Sequence, residues 1–395
     1  MRGCKAEESL IKNAFFAPAL HGGYGNTSCN IQRQFMSERL AKSEKEMERH
    51  NQLLDKRIPS YRQAYSDRTA WLMACLSELA YIRFNPIFPN DKVKKQVLNR
   101  IDEIVGKGKL GSLVGLIDSL GYDHQAETEN LKKELALLRF ELIDTFDRKG
   151  TQAILVSNGK FIALAFRGTE ATSVRDIKAD AKAKFTECET GGGIHSGFQE
   201  AFEQVSMEIQ KKLNEDPVLR ELPLFITGHS LGGALATVAA KRLSHQGGIA
   251  ACYTFGSPRV GDEKWISEIK TPIYRLVNAA DSVTMLPPGD VPILVIGWIV
   301  GWLPWLGKPI KSYLSSHFGG YLHCGNMRYL KNCRHGRYED ARLLYSVSLP
   351  YRLKGFLFGT LPWTKLLSDH SISVYRKKLA IIAFNRNETA NGEKP

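Results

Sequence analysis

The sequence predicts an α/β fold: a mostly parallel central sheet flanked by helices, with an α-helical N-terminal region before it. Three observations carry that reading. Residues 1–147 read mainly as helices. At Thr151 the texture changes to β-rich runs. Beyond Ser196, apolar strands and small-residue or amphipathic helices alternate, the pattern of a parallel sheet covered on both faces. Ligands of such sheets sit outside the carboxyl ends of the strands.

The elements follow in chain order. Residues 1–35 are irregular, with a His21-Gly-Gly-Tyr-Gly turn cluster. Ser37–Arg57 alternates charge sign and reads as an exposed helix. Asp67–Tyr81 has an apolar stripe, with Asp67 as its candidate cap. Asp91–Val105, Leu113–Leu120 and Glu127–Phe146 read as further helices. Gln152–Ser157 and Lys160–Arg167 form a hairpin through Asn158-Gly159. Ser196–Asn214 is a helix, Pro223–Thr227 a strand, Leu231–Ser244 a helix and Ile249–Phe255 a strand. Gly261–Ile269 is a short helix, Pro272–Asn278 a strand, Tyr321–Leu330 another, and Ser371–Phe384 a closing helix. The domain division expected is 1–147, packing on or extending the core, and 148–395, the catalytic-type domain, with insertions at 287–320 and 338–367.

Composition narrows the classes. The chain has 395 residues, 43% hydrophobic, enough for a sizeable core and against disorder of the whole. The net charge is +13, and residues 301–395 hold 15 Lys/Arg against 5 Asp/Glu, a local +10. That segment is threaded with apolar stretches such as Tyr351–Phe358 and carries no nucleic-acid motif. Peripheral contact with an anionic membrane surface is therefore expected rather than nucleic acid; a merely solvated basic face is the plain alternative. Seven cysteines without metal-ligand spacing suit a mostly reduced protein with no metal. No Sec signal peptide is legible at the N-terminus, so a cytoplasmic or peripheral-membrane location is expected, with non-Sec secretion open. Val291–Leu306 is uncharged but short of a span and broken by Pro292 and Pro304; it reads as an interfacial or pocket-lining element.

The chemistry gathers on Gly228-His-Ser-Leu-Gly232. An apolar strand runs into this G-x-S-x-G and a small-residue helix runs out, the strand–turn–helix of a nucleophile elbow, which makes the fold of the α/β-hydrolase type. Ser230 is the candidate nucleophile, and the glycines two before and two after supply room for the turn. A serine nucleophile needs a base and an orienting acid, in the chain order Ser, Asp/Glu, His. Asp281, just past the strand ending at Asn278, is the candidate acid; its rival Asp262 is explained by helix capping. His370, in a loop before the closing helix, is the candidate base; His317, in a Ser/Gly loop, is the rival. His323 reads as structural, inside a strand, and His335 sits among basic residues. His229 would shape the elbow and His195 would pack. The oxyanion donors expected are the backbone of Leu231 and a group from Phe166-Arg-Gly-Thr169, where the Thr169 hydroxyl can also donate.

With these residues in view the chain resembles the class 3 (fungal-type) lipases. Phe166-Arg-Gly-Thr169, Ile194-His-Ser-Gly-Phe198, Gly228-His-Ser-Leu-Gly-Gly233, Tyr253-Thr-Phe-Gly-Ser-Pro-Arg-Val-Gly261, Asn278-Ala-Ala-Asp-Ser-Val283, Gly320-Tyr-Leu-His-Cys-Gly325 and Asp369-His370 resemble that family's motifs, in its order. The resemblance spans roughly Thr151–Phe384. It implies Ser230, Asp281 and His370 as a triad, Thr169 and Leu231 as oxyanion donors, a lid near Ala171–Ala181, and no cofactor. The implied activity is hydrolysis of a lipid ester, of the triacylglycerol lipase or phospholipase A1 type. The alternatives are a catalytically silent lipase-like binding module and a secreted effector lipase acting on a target-cell membrane. The lid segment lacks tryptophan and is charged.

Overall fold

The computed structural model describes residues 40–56, 58–61, 63–82, 124–168, 185–187, 191–287, 320–333, 336–348, 350–352 and 368–390. The chain divides into two compact units, Met1–Met47 and Glu48–Pro395. Of the first, residues 40–47 are described. There Ser43 Oγ accepts from the Glu46 N–H at 3.3 Å, and Glu46 Oε2 accepts from the Lys42 N–H at 2.8 Å, a reciprocal helix-start arrangement.

The second unit is built on an eight-stranded sheet. Its strands, in chain order, are β1 (Glu141–Arg148), β2 (Thr151–Ser157), β3 (Ile162–Phe166), β6 (Leu224–His229), β7 (Ile249–Phe255), β8 (Ile273–Asn278), β9 (Asn326–Leu330) and β10 (Leu343–Leu344). Spatial order follows chain order. Pairing is antiparallel from β1 to β3, parallel from β3 through β9, and antiparallel again at β10. A separate two-stranded ribbon joins β4 (Phe185–Glu187) to β5 (Gly193–His195). The central strands are buried on both faces and read as unbroken apolar runs, Ile-Ala-Leu-Ala-Phe in β3 for example.

Helices cover both faces. The described α-helices, in chain order, are α1 (Glu44–Asp55), α2 (Asp67–Leu79), α3 (His124–Leu137), α4 (Ser196–Glu215), α5 (Pro217–Glu221), α6 (Leu231–Arg242), α7 (Glu263–Ser267) and α8 (Ile372–Ala390). On one face lie α4 and α6. The buried residues of α4, Phe198, Phe202, Val205, Ile209 and Leu213, recur every three or four positions, one stripe of a helix. The α6 helix is Gly- and Ala-rich, which lets its axis approach β6 and β7 closely. On the other face α2 lies between β6 and α8. It is apolar nearly all round, as a helix with neighbours on two sides must be. Ser77 donates to Thr227 Oγ1 at 2.9 Å, and Thr227 passes its own proton to the Tyr253 carbonyl at 2.9 Å, so these two buried hydroxyls are satisfied. Glu78 and Arg376 form an ion pair from α2 to α8.

Several elements differ from the sequence reading. The run Glu127–Phe146, expected as one helix, is α3 followed by β1. Arg139 adopts φ 63°, which ends the helix, and the following residues pair with β2. The sheet thus starts at Glu141, before the boundary placed at 148. Ser66, not Asp67, caps α2, accepting from the Thr69 N–H; Asp67 Oδ2 instead meets Arg386 at 2.5 Å. The strand expected over Tyr321–Leu330 is confined to Asn326–Leu330, because Gly325 at φ +85° turns the chain into it. His323 therefore stands outside the strand. The helix read over Ser37–Arg57 covers Glu44–Asp55, with His50 and Leu53 buried. The helices expected at Asp91–Val105 and Leu113–Leu120, the lid near Ala171–Ala181 and the apolar run Val291–Leu306 lie outside the described residues. Among the described residues, no helix is long and apolar enough to cross a membrane.

Candidate active site

Ser230 stands between β6 and α6 with φ 58° and ψ −126°, a backbone conformation that costs an ordinary residue about 1–3 kcal/mol. The surroundings enforce it. The Ser230 N–H donates to the Phe255 carbonyl at 2.9 Å, and the Gly233 N–H donates to the Ser230 carbonyl at 2.9 Å. Around the turn the backbones touch: a Cβ on Gly228 would collide with the Gly232 carbonyl, and one on Gly232 with the Phe166 carbonyl. The G-x-S-x-G spacing is thus a steric requirement of this turn.

Two parallel strand ends and a 3₁₀ turn deliver the polar groups. Ser230 follows β6, Asp281 follows β8, and His370 lies in the 3₁₀ turn Ser368–His370 before α8. The structure brings the three together. His370 Nε2 lies 2.9 Å from Ser230 Oγ, and His370 Nδ1 lies 3.0 Å from both Asp281 carboxylate oxygens. Asp281 accepts only, so Nδ1 carries the proton, and Nε2 accepts from the serine hydroxyl. All three are buried, Ser230 and Asp281 completely. A buried carboxylate must be fully hydrogen-bonded. Asp281 meets this through His370, the Tyr375 hydroxyl at 2.6 Å and the Val283 N–H at 3.0 Å.

A second tier of groups fixes these three. The Tyr375 hydroxyl accepts from the Asn278 N–H at 2.9 Å while donating to Asp281. Asn278 Nδ2 donates to the Asp369 carbonyl at 2.8 Å, and Lys378 donates to Asn278 Oδ1 at 3.0 Å. Arg352 donates to Thr284 Oγ1 at 2.8 Å and to the Asp281 carbonyl at 3.3 Å. His229, beside the serine, lies 2.6 Å through Nε2 from the His370 carbonyl and 2.8 Å through Nδ1 from the Tyr81 hydroxyl. A carbonyl only accepts, so Nε2 holds the proton and Tyr81 donates to Nδ1. Burial first, and the neighbouring His370 second, push the His229 pKa down to about 3, so it stays neutral in this role. Gly256, at φ +59°, leaves the space that Asp281 Oδ2 and His370 Nδ1 fill.

The other sequence candidates separate cleanly. Asp262 caps α7, accepting from Trp265 N–H at 2.8 Å and Gly193 N–H at 2.7 Å. His323 Nε2 meets the Thr284 carbonyl at 2.6 Å, and burial followed by Arg275 lowers its pKa well below the usual value. His195 caps α4 and stacks on Phe198 at 4.3 Å. His317 and His335 lie outside the described residues. Leu231 is the first residue of α6, so its N–H is one of the amides a helix start leaves without an intrahelical partner. Thr169 also lies outside the described residues, but the chain leading to it is placed. Phe166 pairs with Gly228 in the sheet, and a Cβ on Gly168 would meet Ser230 Cβ at 3.3 Å, so the backbone passes beside the serine. Among the described residues, no group of three or more His, Cys, Asp or Glu is arranged to hold a metal.

Sequence reading gave no role to Tyr375, Asn278, Arg352 and Tyr81. Tyr375, Arg352 and Tyr81 act through space, and Asn278 stood only as the start of the motif that carries Asp281. Tyr375 had one local signal: it lies five residues after His370, on the helix that follows the base.

Comparison with known proteins agrees with the motifs. Residues 163–291 match the family model Lipase (class 3). A secreted mono- and diacylglycerol lipase 1 of Fusarium solani is 32% identical over 165 residues, which are 40% of this chain and 49% of that protein. A lipase of Rhizopus niveus is 32% identical over 159 residues, 35% of this chain and 39% of that protein. The chain thus spans half or less of the length of these curated relatives. Among solved structures, lipase II from Rhizopus niveus aligns over 61% of this chain and 82% of its own, with 24% identity and a TM-score of 0.42. A lipase from Rhizopus microsporus var. chinensis aligns over 80% of this chain and 90% of its own, with 20% identity and a TM-score of 0.45. The match to the class 3 lipase family lies within residues 163–291.

Proposed function

We propose that this chain acts as a class 3 lipase and hydrolyses carboxylic esters of lipids through a covalent acyl-enzyme. The observation that carries the reading is the buried Ser230–His370–Asp281 relay, with one hydrogen bond from serine to imidazole at 2.9 Å and an imidazole held at 3.0 Å by a saturated carboxylate. Ser230 Oγ attacks the acyl carbonyl carbon while His370 Nε2 takes its proton. The oxyanion meets the Leu231 N–H, at the positive end of α6, and the Thr169 group. His370 returns the proton to the leaving alcohol. A water, deprotonated by the same nitrogen, then frees the fatty acid and regenerates Ser230. Asp281 keeps the imidazole in the Nδ1–H tautomer and offsets the charge of the imidazolium.

The substrate class rests on the family and on the chain's own surface chemistry. The relatives are named as lipases, one of them acting on mono- and diacylglycerols. The +10 charge over residues 301–395, interleaved with bulky apolar residues, suits an anionic lipid surface, so a glycerophospholipid cleaved at its first acyl position stands beside neutral glycerides as the substrate. A peripheral site of action at such a surface is part of this reading. The test presents purified chain with triolein emulsion, with phosphatidylglycerol vesicles and with soluble p-nitrophenyl butyrate. Fatty acid release from either aggregate, lost in Ser230→Ala, is expected. Hydrolysis of the soluble ester alone would remove the lipid reading and leave the triad chemistry. Inactivity on all three would favour the binding module.

A further inference from the structure

Behind the triad carboxylate lies a cluster of cations that the proposed reaction does not use. Arg259 (following β7), Arg275 (on β8) and Arg352 are each at least nine-tenths buried. Arg259 and Arg352 both bond to the loop Asp281–Pro287, and burial first, then Arg352 and Arg259, pull the Arg275 pKa down to about 9. His323 feels the same three arginines. Two of the guanidiniums have partners. Arg259 Nη1 donates to the Met285 carbonyl at 2.5 Å and to the Pro287 carbonyl, and Arg352 Nη2 donates to Thr284 and Asp281. Four donors or ring nitrogens are buried without a partner: Arg275 Nε, Arg275 Nη1, Arg352 Nε and His323 Nδ1. The His323 Nε2 contact is to a carbonyl, so Nε2 holds the proton of the neutral ring and Nδ1 is its acceptor nitrogen.

Carboxylates do not balance this charge among the described residues. Asp281 is the acid that Arg352 senses, and its oxygens are taken by His370, Tyr375 and Val283. Among the described residues, the groups that shift the Arg275 pKa include no carboxylate. Three buried like charges, two of them with orphaned donors, are costly as they stand, since removing a charge from water is repaid only by an opposite charge and complete hydrogen bonding.

We propose that Arg259, Arg275 and Arg352 form a binding site for a small inorganic oxyanion of the phosphate or sulfate class, with the Arg275 Nε–H and Nη1–H as its central donors. A guanidinium presents several N–H groups in one plane and matches such oxyanions better than a point charge does. The bound anion would sit behind the loop Asp281–Leu286, which carries the triad acid, and it would act on stability first. The inference stands on these arginines and not on the proposed hydrolysis.

The test follows the melting temperature of the full chain in chloride-free gluconate buffer at constant ionic strength, with sodium phosphate or sodium sulfate added from micromolar to tens of millimolar. A rise logarithmic in anion concentration above Kd, reaching about 3–5 °C at a hundredfold excess, is expected. Arg275→Met should melt no lower than the wild type without the anion and should lose the logarithmic rise, keeping only the shallow linear salt effect. Arg275→Lys, which keeps the charge but not the fork, should bind at least about tenfold more weakly and serves if the Met variant does not fold. A wild type with no logarithmic response overturns the proposal. An undiminished response in Arg275→Met does so too. So does a large loss of stability in Asp290→Asn in a wild type blind to anions, which would assign the counter-charge to the one carboxylate within residues 288–319.

Discussion

Replacing Tyr375 by Phe removes one oxygen and nothing else, at a point where two hydrogen bonds meet in the interior. The hydroxyl donates to Asp281 Oδ2 at 2.6 Å and accepts from the Asn278 N–H at 2.9 Å. A bond to a buried carboxylate contributes about 1.5–3 kcal/mol, and an amide left without its acceptor adds about 1–3 kcal/mol of cost. The ring itself stays packed, so no cavity term enters. Neighbouring groups relax, and a total loss of about 2–4 kcal/mol is expected. The chemistry should suffer less. Asp281 keeps His370 and Val283 as donors, so the imidazole keeps its orientation; kcat should fall about tenfold, equivalent to about 1.4 kcal/mol, with KM little changed. Urea denaturation by tryptophan fluorescence and p-nitrophenyl ester hydrolysis measure the two effects. A variant within about 0.5 kcal/mol of the wild type would show that the hydroxyl does not serve the carboxylate, and the arrangement argued for it would be wrong.

Three further outcomes follow from the same geometry. Gly256→Ala places a methyl against Asp281 Oδ2 and His370 Nδ1 at a backbone φ of +59°; kcat/KM should drop by about a hundredfold or more while the protein remains folded by circular dichroism, and retained activity would contradict the packing. His229→Phe breaks the bond that holds the His370 carbonyl at 2.6 Å, so kcat should fall about tenfold at unchanged KM. Stability should decline steeply in acid, because burial lowers the pKa of both His50 and His229 to about 3 from 6.5. The folded pKa lies below the unfolded one, so between these values the unfolded chain binds more protons. The contribution is complete above pH 6.5 and shrinks as pH falls toward 3, by about 1.4 kcal/mol per pH unit for each histidine. His50→Phe should flatten the pH dependence of the urea midpoint by that amount; an unchanged slope would contradict the burial argument.

What the sequence made legible was what local sterics dictate. The elbow demands glycines at 228 and 232 because backbones touch there, and the apolar strand and small-residue helix around it cannot be read otherwise. The hairpin at Asn158-Gly159 and the stripe of α4 are equally local. Asp281 and His370 stand at strand and helix boundaries, where chain order and loop position single them out. The positions that escaped are those whose meaning depends on distant partners. Tyr375 is separated from Asp281 by 94 residues and Tyr81 from His229 by 148. β1 was misread because its sequence, Glu-Leu-Ile-Asp-Thr-Phe-Asp-Arg, is that of a half-exposed edge strand continuing a helical composition; only the left-handed Arg139 separates the two. The arginine cluster was invisible for the same reason: nothing in the neighbourhood of each arginine marks it as buried beside two others.

The central claim is that Ser230 is a nucleophile activated by His370. It is tested most directly by incubating the purified chain with a long-chain p-nitrophenyl alkylphosphonate and mapping the adduct by mass spectrometry. The account predicts release of one p-nitrophenol per chain, a phosphonyl group on the peptide containing Ser230, and at least a hundredfold slower labelling in His370→Gln. An unlabelled Ser230, or labelling that proceeds as fast without His370, would contradict it.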